Sequence, residues 1–316
     1  MSKKSVGLSV IDPIFEEQNS VTLVFSFDEN YCKFFSVALE SLVKNSRSNL
    51  KYDLVILTSQ TNQQYQERLY RQIPSNFSLR FVELPKIIAR NFYEINLKKN
   101  ERWAIDAYFR CFIPLILRNY KRVLYLDCDL VVEGDLQELY NQEFENKKLI
   151  AINDTTPNLY RLGMDKEREE YERNVLKLND TTKYFNSGVL LFNIEAIEPN
   201  EYLNLLKEGF ELDFLMFADQ AVLNMIFKDE VKLVSSEWNY CCGELIFHEN
   251  FLDLVEGEYK KEFLNAKTNP KIIHYTSWLK PWNYPLREHF EKFWYYARRC
   301  PFYEDILLET NKRKEQ

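Results

Sequence analysis

Short apolar runs of strand length alternate along this chain with segments whose apolar residues recur at helical spacing, and few folds accommodate that pattern. VTLVFSF (21–27), YDLVILT (52–58) and SLRFVEL (78–84) read as strands, with CKFFSVALESLVKNS (32–46) and residues 61–72 as the helices between them. Further strands are expected at RVLYLDCD (122–129), LIAIND (149–154), FNSGVLLFNI (185–194), VKLVSS (231–236) and KIIHYTS (271–277), and further helices at 200–210 and 219–228. WAIDAYFRCFIPLILRNY (103–120) reads as a helix that is interrupted or begun anew at Pro114. Strand and helix in alternation place the chain in the α/β class. No repeat, low-complexity linker or composition break divides it.

One strand ends in a way that demands an explanation. In KRVLYLDCDLVVEGD (121–135) the apolar VLYL meets Asp127 and Asp129, one residue apart, before the chain turns apolar again. A buried carboxylate without a partner costs on the order of several kcal/mol after relaxation. Residues i and i+2 of a strand share a face, so both carboxylates can converge on one ion while Cys128 points away. Oxygen ligands suit a hard cation such as Mg²⁺ or Mn²⁺, which can hold phosphate oxygens at the same time. Open α/β sheets also bind ligands beyond the carboxyl ends of their strands. Asp-x-Asp arises by chance too, and a pair capping a solvated turn is the alternative.

Several classes are disfavoured by what the chain lacks. Its 7 glycines are about 2% of the residues where about 7% is usual. No GxGxxG follows the first strand and no GxxxxGK[ST] exists, so a nucleotide's diphosphate would have to be met without a glycine-rich cradle. Forty-one basic against 48 acidic residues, a net charge of −7, argue against sequence-independent binding of nucleic acid. MSKKSVGLSVIDPIFEEQNS has no apolar core of a secretory signal, and no stretch approaches the roughly 18 apolar residues of a membrane helix. A cytoplasmic location is expected. Cysteines 32, 111, 128, 241, 242 and 300 show neither CxxC nor zinc-ligand spacing and read as reduced thiols.

Further segments accompany the aspartates in order: VFSFDENY around Asp28 to Asn30, YFNSGVLLFN with Asn186 to Gly188, FADQAVLNMIF with Asp219 and Gln220, and HYTSWLKPW (274–282). With these the chain resembles the family 8 retaining glycosyltransferases, which include bacterial lipooligosaccharide galactosyl- and glucosyltransferases and, more distantly, glycogenins. The resemblance runs from about residue 21 to 283, and WYYARRCPFYEDIL (294–307) is similar to the tail of bacterial members. It implies a GT-A fold, α/β with a single Rossmann-like nucleotide-binding sheet fused to an acceptor-binding part. The expected divisions are an N-terminal extension (1–20), the glycosyltransferase domain (21–285) and a C-terminal helical tail (286–316).

Residue by residue, the resemblance makes Asp127 and Asp129 the DxD pair that holds the metal and the donor, Asp127 also near the ribose and Cys128 between them in the donor-binding set. His274, one of 3 histidines, matches the third metal ligand. Lys280 matches the lysine that pairs with the donor diphosphate, and Ser26, Asp28 and Asn30 match uracil and ribose contacts. Arg110, in AYFRCFIP, matches an arginine that reaches the donor sugar. Asn186 and Asp219 would bond sugar hydroxyls, with Ser187 beside them and Gly188 permitting close approach. Gln220 would lie near the anomeric carbon, so Asp219, Gln220 and Lys280 are the catalytic candidates. The structural alternative is that Asp219 and Gln220 merely start the helix of QAVLNMIF, Asp219 as its N-cap. One departure stands out: Ser277 occupies a donor-binding position where many members have glycine.

The activity implied is transfer of glucose or galactose from a UDP-sugar to an acceptor hydroxyl of a glycan or glycosylated protein, with Mn²⁺ or Mg²⁺ and with retention at the anomeric carbon. Two other classes compete. A haloacid-dehalogenase-like phosphatase also ends a strand on Asp-x-Asp, though usually near the N-terminus; a non-catalytic carbohydrate-binding protein could keep the same fold. Trp278 and Trp282 either stack on sugars or pack. Segments 95–103 and 275–283 are expected to close over the donor, and 155–182 to form an acceptor-side insertion or a solvated helix. The tail, REHFEKFWYYARRC to NKRKEQ, reads as a packed helix or as a contact for the inner membrane face or a partner.

Overall fold

The computed structural model describes residues 10–60, 62–84, 105–154, 166–212, 214–242, 258–284 and 288–314. Its centre is β1 (Ser20–Ser26), buried along its whole length. Strands enclosed on both faces have no solvent side to give to polar residues, which is why they read as continuous apolar runs. β1 pairs in parallel with β2 (Lys51–Thr58) and β4 (Arg122–Leu126), and β2 with β3 (Phe77–Glu83). Beyond β4 lies β7 (Phe185–Asn193), antiparallel to β4 and to β6 (Leu149–Asn153), and β8 (Val231–Val234) closes the row parallel to β6. The order is β3-β2-β1-β4-β7-β6-β8.

The period-two rule sorts the core. Leu23 and Phe25 of β1 and Leu124 and Leu126 of β4 enter one apolar cluster, while Val24, Val123 and Tyr125 enter another across the sheet. The first cluster holds α1 (Cys32–Lys44), whose Phe35 stacks on Phe27 at 4.6 Å. Burying such a ring contributes roughly 1.5–3 kcal/mol. The second holds elements of the opposite layer, including residues 105–117 and the helices Pro199–Glu211 and Ala218–Phe227. The segment expected to break or begin anew at Pro114 does so: a 3₁₀ helix, Ile105–Phe112, is followed by a short α-helix, Ile113–Ile116, with Pro114 in its first turn. Proline lacks the N–H that an α-helix would need in mid-course, so the chain starts afresh there.

A second sheet went unread in the sequence. β5 (Leu130–Val132) leaves the DxD pair and runs antiparallel to β10 (Ile272–His274), which pairs in parallel with β9 (Tyr240–Cys241). These strands of 3, 2 and 3 residues are too short to show a period. The expected strand at 271–277 is therefore the three-residue β10, and it belongs to this small sheet.

The last two helices, Phe290–Ala297 and Tyr303–Lys314, turn their aromatic faces inward: Phe290, Phe293, Tyr296, Phe302 and Ile306 join the α1 cluster. The packed-helix alternative describes that face. Trp282 is likewise core, stacked on Phe34 at 3.7 Å, whereas Trp278 stays exposed with Tyr284 edge-on to it at 5.2 Å. Among the described residues no helix is long and apolar enough to cross a membrane.

Candidate active site

Topology brings the chemistry to one edge. β1, β4 and β6 run in the same direction, so their carboxyl ends fall together, and β7, running the other way, begins there. Ser26, Asp127 and Asp154 are thus delivered to the same rim as Asn186, Ser187 and Gly188. β10 adds His274 from the small sheet.

Asp127, Asp129 and His274 each present one ligand atom, all within 4.8 Å of one another. His274 Nε2 lies 3.5 Å from Asp127 Oδ2 and 3.2 Å from Asp129 Oδ1. Cys128, between the two aspartates, packs its side chain into the apolar core. Gly188 makes the cluster possible, because a Cβ there would stand 2.2 Å from His274 Cε1 and 2.9 Å from Asp127 Oδ2.

The surrounding charges explain how aspartates survive at the end of a buried strand. Arg110 forks onto Asp127, with Nη2 2.8 Å from Oδ1 and Nη1 3.3 Å from Oδ2, and its Nε lies 3.1 Å from Asp219 Oδ2. Nη1 also donates to the Ser187 carbonyl at 2.8 Å. Burial lowers the guanidinium's affinity for its proton, but Asp127 and Asp219 outweigh it and hold Arg110 firmly charged. Lys280 Nζ donates to Asp129 Oδ2 and to the Tyr275 carbonyl. Burial pushes the Asp129 carboxyl up; Lys280 and His274 overcome that and hold it well below the usual carboxylate range. Asp219 is raised, because burial and the charge of Asp127 oppose the help of Arg110 and Ser187. Three carboxylates, Asp127, Asp129 and Asp219, face two fixed cations, so a divalent ion beside His274 fits the charge of the cluster as well as its donor set.

Gln220 does more than begin a helix. The helix starts at Ala218 and its N-cap is Phe217 without a side-chain bond, so Asp219 is not the cap. Gln220 Oε1 accepts from Ser187 N at 3.0 Å and Nε2 donates to Asp154 Oδ2 at 2.8 Å. Ala218, just before, is held at a positive φ of 45°. Such backbone costs on the order of 1–2 kcal/mol in an L-residue, and here it turns the Asp219–Gln220 pair toward β7.

Tyr125 and Asp154 escaped sequence reasoning. Tyr125 donates to Asp127 Oδ1 at 2.7 Å and shares a 3.0 Å bond with Ser26 Oγ; the i, i+2 rule that paired the aspartates also puts Tyr125 on their face. Asp154 ends LIAIND as Asp127 ends VLYL, and that likeness was its signal. Arg168, 3.9 Å from Asp154, stacks over Phe217 and pairs with Glu172 at 3.0 Å. Hence Lys166–Asn174, charged as it is, buries Arg168, Tyr171 and Glu172 rather than forming a wholly solvated face.

The remaining candidates lie at the rim. Asp28 accepts from Tyr31 N at 3.2 Å and from Asn30 Nδ2 at 3.1 Å, ending β1 in a turn. Ser277 has a positive φ of 61°, which gives the physical reason a glycine suits that position. The segment 95–103 and residues 155–165 of the expected insertion lie outside the described residues.

This sheet, with a DxD pair at the carboxyl edge of β4 and a histidine delivered from a second small sheet, defines a glycosyltransferase of the GT-A fold. The chain belongs to glycosyl transferase family 8, whose sequence model matches residues 22–285. It is 24% identical over 290 residues to general stress protein A of Bacillus subtilis, covering 87% of this chain and 93% of that protein. It is 24% identical over 311 residues to a lipopolysaccharide 1,2-glucosyltransferase of Escherichia coli, covering 95% and 86%. Among solved structures, that of the apo bifunctional glycosyltransferase WbbM superposes with a TM-score of 0.83 at 26% identity, covering 95% of this chain and 53% of that one. The present chain thus spans about half of that larger chain. Family membership sets aside the phosphatase alternative.

Proposed function

We propose that this glycosyltransferase moves a hexose, glucose or galactose, from a UDP-sugar onto a hydroxyl of a glycan or glycosylated protein, with retention at the anomeric carbon. The observation that supports it best is the convergence of Asp127, Asp129 and His274 within 4.8 Å at the carboxyl edge of the sheet. These three would hold Mn²⁺, or Mg²⁺; an imidazole beside two carboxylates suits the former better. When bound, the ion supplies positive charge to the donor diphosphate and stabilises it as a leaving group.

The chain's own residues do the rest. Lys280, paired with Asp129 until the donor binds, turns its ammonium to the departing diphosphate on a flexible stem. Ser26, Asp28 and Asn30, at the end of β1, receive the uracil and ribose, with the main chain at Cys128 and Ser277 contributing toward the nucleotide and phosphates. Arg110 locks Asp127 and Asp219 in place, which leaves Asn186, Ser187 and Asp219 lining the sugar position. A glutamine amide is a poor nucleophile beside the carboxylates used by retaining glycosidases. Gln220, steered by Ser187 and Asp154, therefore acts mainly by stabilising developing positive charge while the acceptor attacks from the leaving-group side.

The test is a panel of nucleotide sugars scored for nucleoside diphosphate release, with Mn²⁺ and with excess EDTA. Release from UDP-glucose or UDP-galactose that stops in EDTA, and that Asp127→Asn and Asp129→Asn lower roughly 100-fold or more, is expected. Full activity in chelator removes the metal. NMR of the product made from an α-linked donor decides the stereochemistry, and a β-linked product overturns retention.

A further inference from the structure

We infer that Asn239 is a positioning residue that presets His274 as a metal ligand by fixing which ring nitrogen carries the proton. The inference rests on the metal site proposed above. Asn239 ends the 3₁₀ turn Ser236–Asn239 just before β9, is 1% exposed, and had no part in the motifs read from the sequence.

The argument is one of hydrogen-bond polarity. The orientation of a single amide is ambiguous on its own, but here a chain of bonds begins at a group that can only donate. Gly188 N–H lies 2.9 Å from the Asn186 side-chain oxygen, so that atom must be Oδ1. The same oxygen is 2.8 Å from Asn239, which must therefore present Nδ2 to it. The other end of Asn239 is then Oδ1, and it sits 2.9 Å from His274 Nδ1. An amide oxygen has no proton to give, so Nδ1 carries one and donates it. Nε2 is left to point at Asp127 and Asp129, 3.5 and 3.2 Å away. With Nδ1–H held by Asn239, Nε2 is the ring nitrogen that faces the carboxylates; any proton it shares with them is the one a divalent ion displaces, and the relay holds the ring in the rotation and, once the ion binds, the tautomer that coordination through Nε2 requires.

The backbone keeps the relay rigid. β9 pairs with β10 so that Cys241 faces His274, and Cys242 N donates to the His274 carbonyl at 2.7 Å. The Asn239–His274 bond therefore ties the turn that opens β9 to the neighbouring strand β10. The relay also has a consequence for Asn186: with its oxygen engaged twice, only its Nδ2 hydrogens remain for a sugar hydroxyl, so this amide can recognise an acceptor lone pair and nothing else.

The experiment measures Mn²⁺ affinity by isothermal titration, without turnover, on folded wild type, His274→Ala, Asn239→Leu and Asn239→Asp. Leucine fills similar space and offers no acceptor; aspartate keeps an oxygen for Nδ1–H but sets its second oxygen against Asn186 Oδ1. Asn239→Leu should weaken Mn²⁺ roughly 10–100-fold, approaching His274→Ala, and Asn239→Asp should bind more tightly than the leucine variant. Asn239→Leu binding as wild type does, or Asn239→Asp no more tightly than the leucine variant, overturns the inference. Should the leucine variant not fold, ¹⁵N-histidine NMR of wild type saturated with diamagnetic Cd²⁺ decides: a proton on Nδ1 of His274 supports it, and a proton on Nε2 refutes it. A wild type that binds no Mn²⁺ while remaining folded removes the metal site itself, an outcome distinct from failure of the relay alone.

Discussion

Gly188→Ala is the smallest change that interrogates the whole site. Gly188 lies within β7 without a positive φ, so its backbone accepts alanine and the effect is purely steric. The new Cβ would meet His274 Cε1 at 2.2 Å, Nδ1 at 2.8 Å and Asp127 Oδ2 at 2.9 Å, where ordinary contact begins at 3.4 Å. The ring must therefore retreat by 3.4 − 2.2 = 1.2 Å or more. It has little room: His274 is 3% exposed, bonded to Asn239, and carried by a strand paired on both sides. Overpacking of this kind costs about 1–3 kcal/mol, a fall of roughly 2–5 °C in Tm for a chain of this size. Displacing a ligand by that distance should weaken Mn²⁺ by about 10–100-fold. Differential scanning fluorimetry and Mn²⁺ titration read the two effects separately. A double-mutant cycle tests the cause, because in a His274→Ala background the clash with the ring is gone and Gly188→Ala should cost little more. A Gly188→Ala protein with wild-type Tm and Mn²⁺ affinity, or one whose cost is unchanged when the ring is removed, would refute the packing described.

Gln220→Ala should lower kcat far more than it weakens donor binding, and Gln220→Glu, which sets a second carboxylate against Asp154, is the variant in which to look for a glycosylated enzyme by mass spectrometry; equal losses in kcat and donor affinity would contradict the catalytic role. Ser277→Gly relieves about 1–2 kcal/mol of left-handed strain against about 0.5–1 kcal/mol of added chain entropy, so thermal melts should show no loss of stability, whereas Ser277→Val should lose it. Burial raises the Asp106 carboxyl against two hydrogen bonds from Ser59. Its protonated form is therefore favoured by folding, and its contribution to stability is complete below the ordinary value of 3.8 and declines as pH rises through the folded one. Urea titrations from about pH 4 upward should show Asp106→Asn flattening that decline; an unchanged slope would count against it.

The sequence by itself determined the elements of the large sheet and the residues that end them. Strands buried on both faces must be apolar throughout, so VTLVFSF and VLYL announced themselves, and a carboxylate that interrupts such a run needs a partner, so Asp127 and Asp129 did too. Motif order then carried the likeness to one family and, with it, His274, Arg110 and Lys280. What only the tertiary structure decided is which polar groups meet. β7 reverses direction beside β4 and β6, a pairing that no local period records, and this alone sets Asp154 against Gln220 and Gly188 against His274. The small sheet of β5, β9 and β10 is too short to leave a pattern, yet it places Asn239 and His274 side by side. Trp282 and Trp278, four residues apart and alike in sequence, part company as core and rim for the same reason. Local spacing dictates the direction a side chain leaves its own strand, and only the assembled sheet dictates what it finds there.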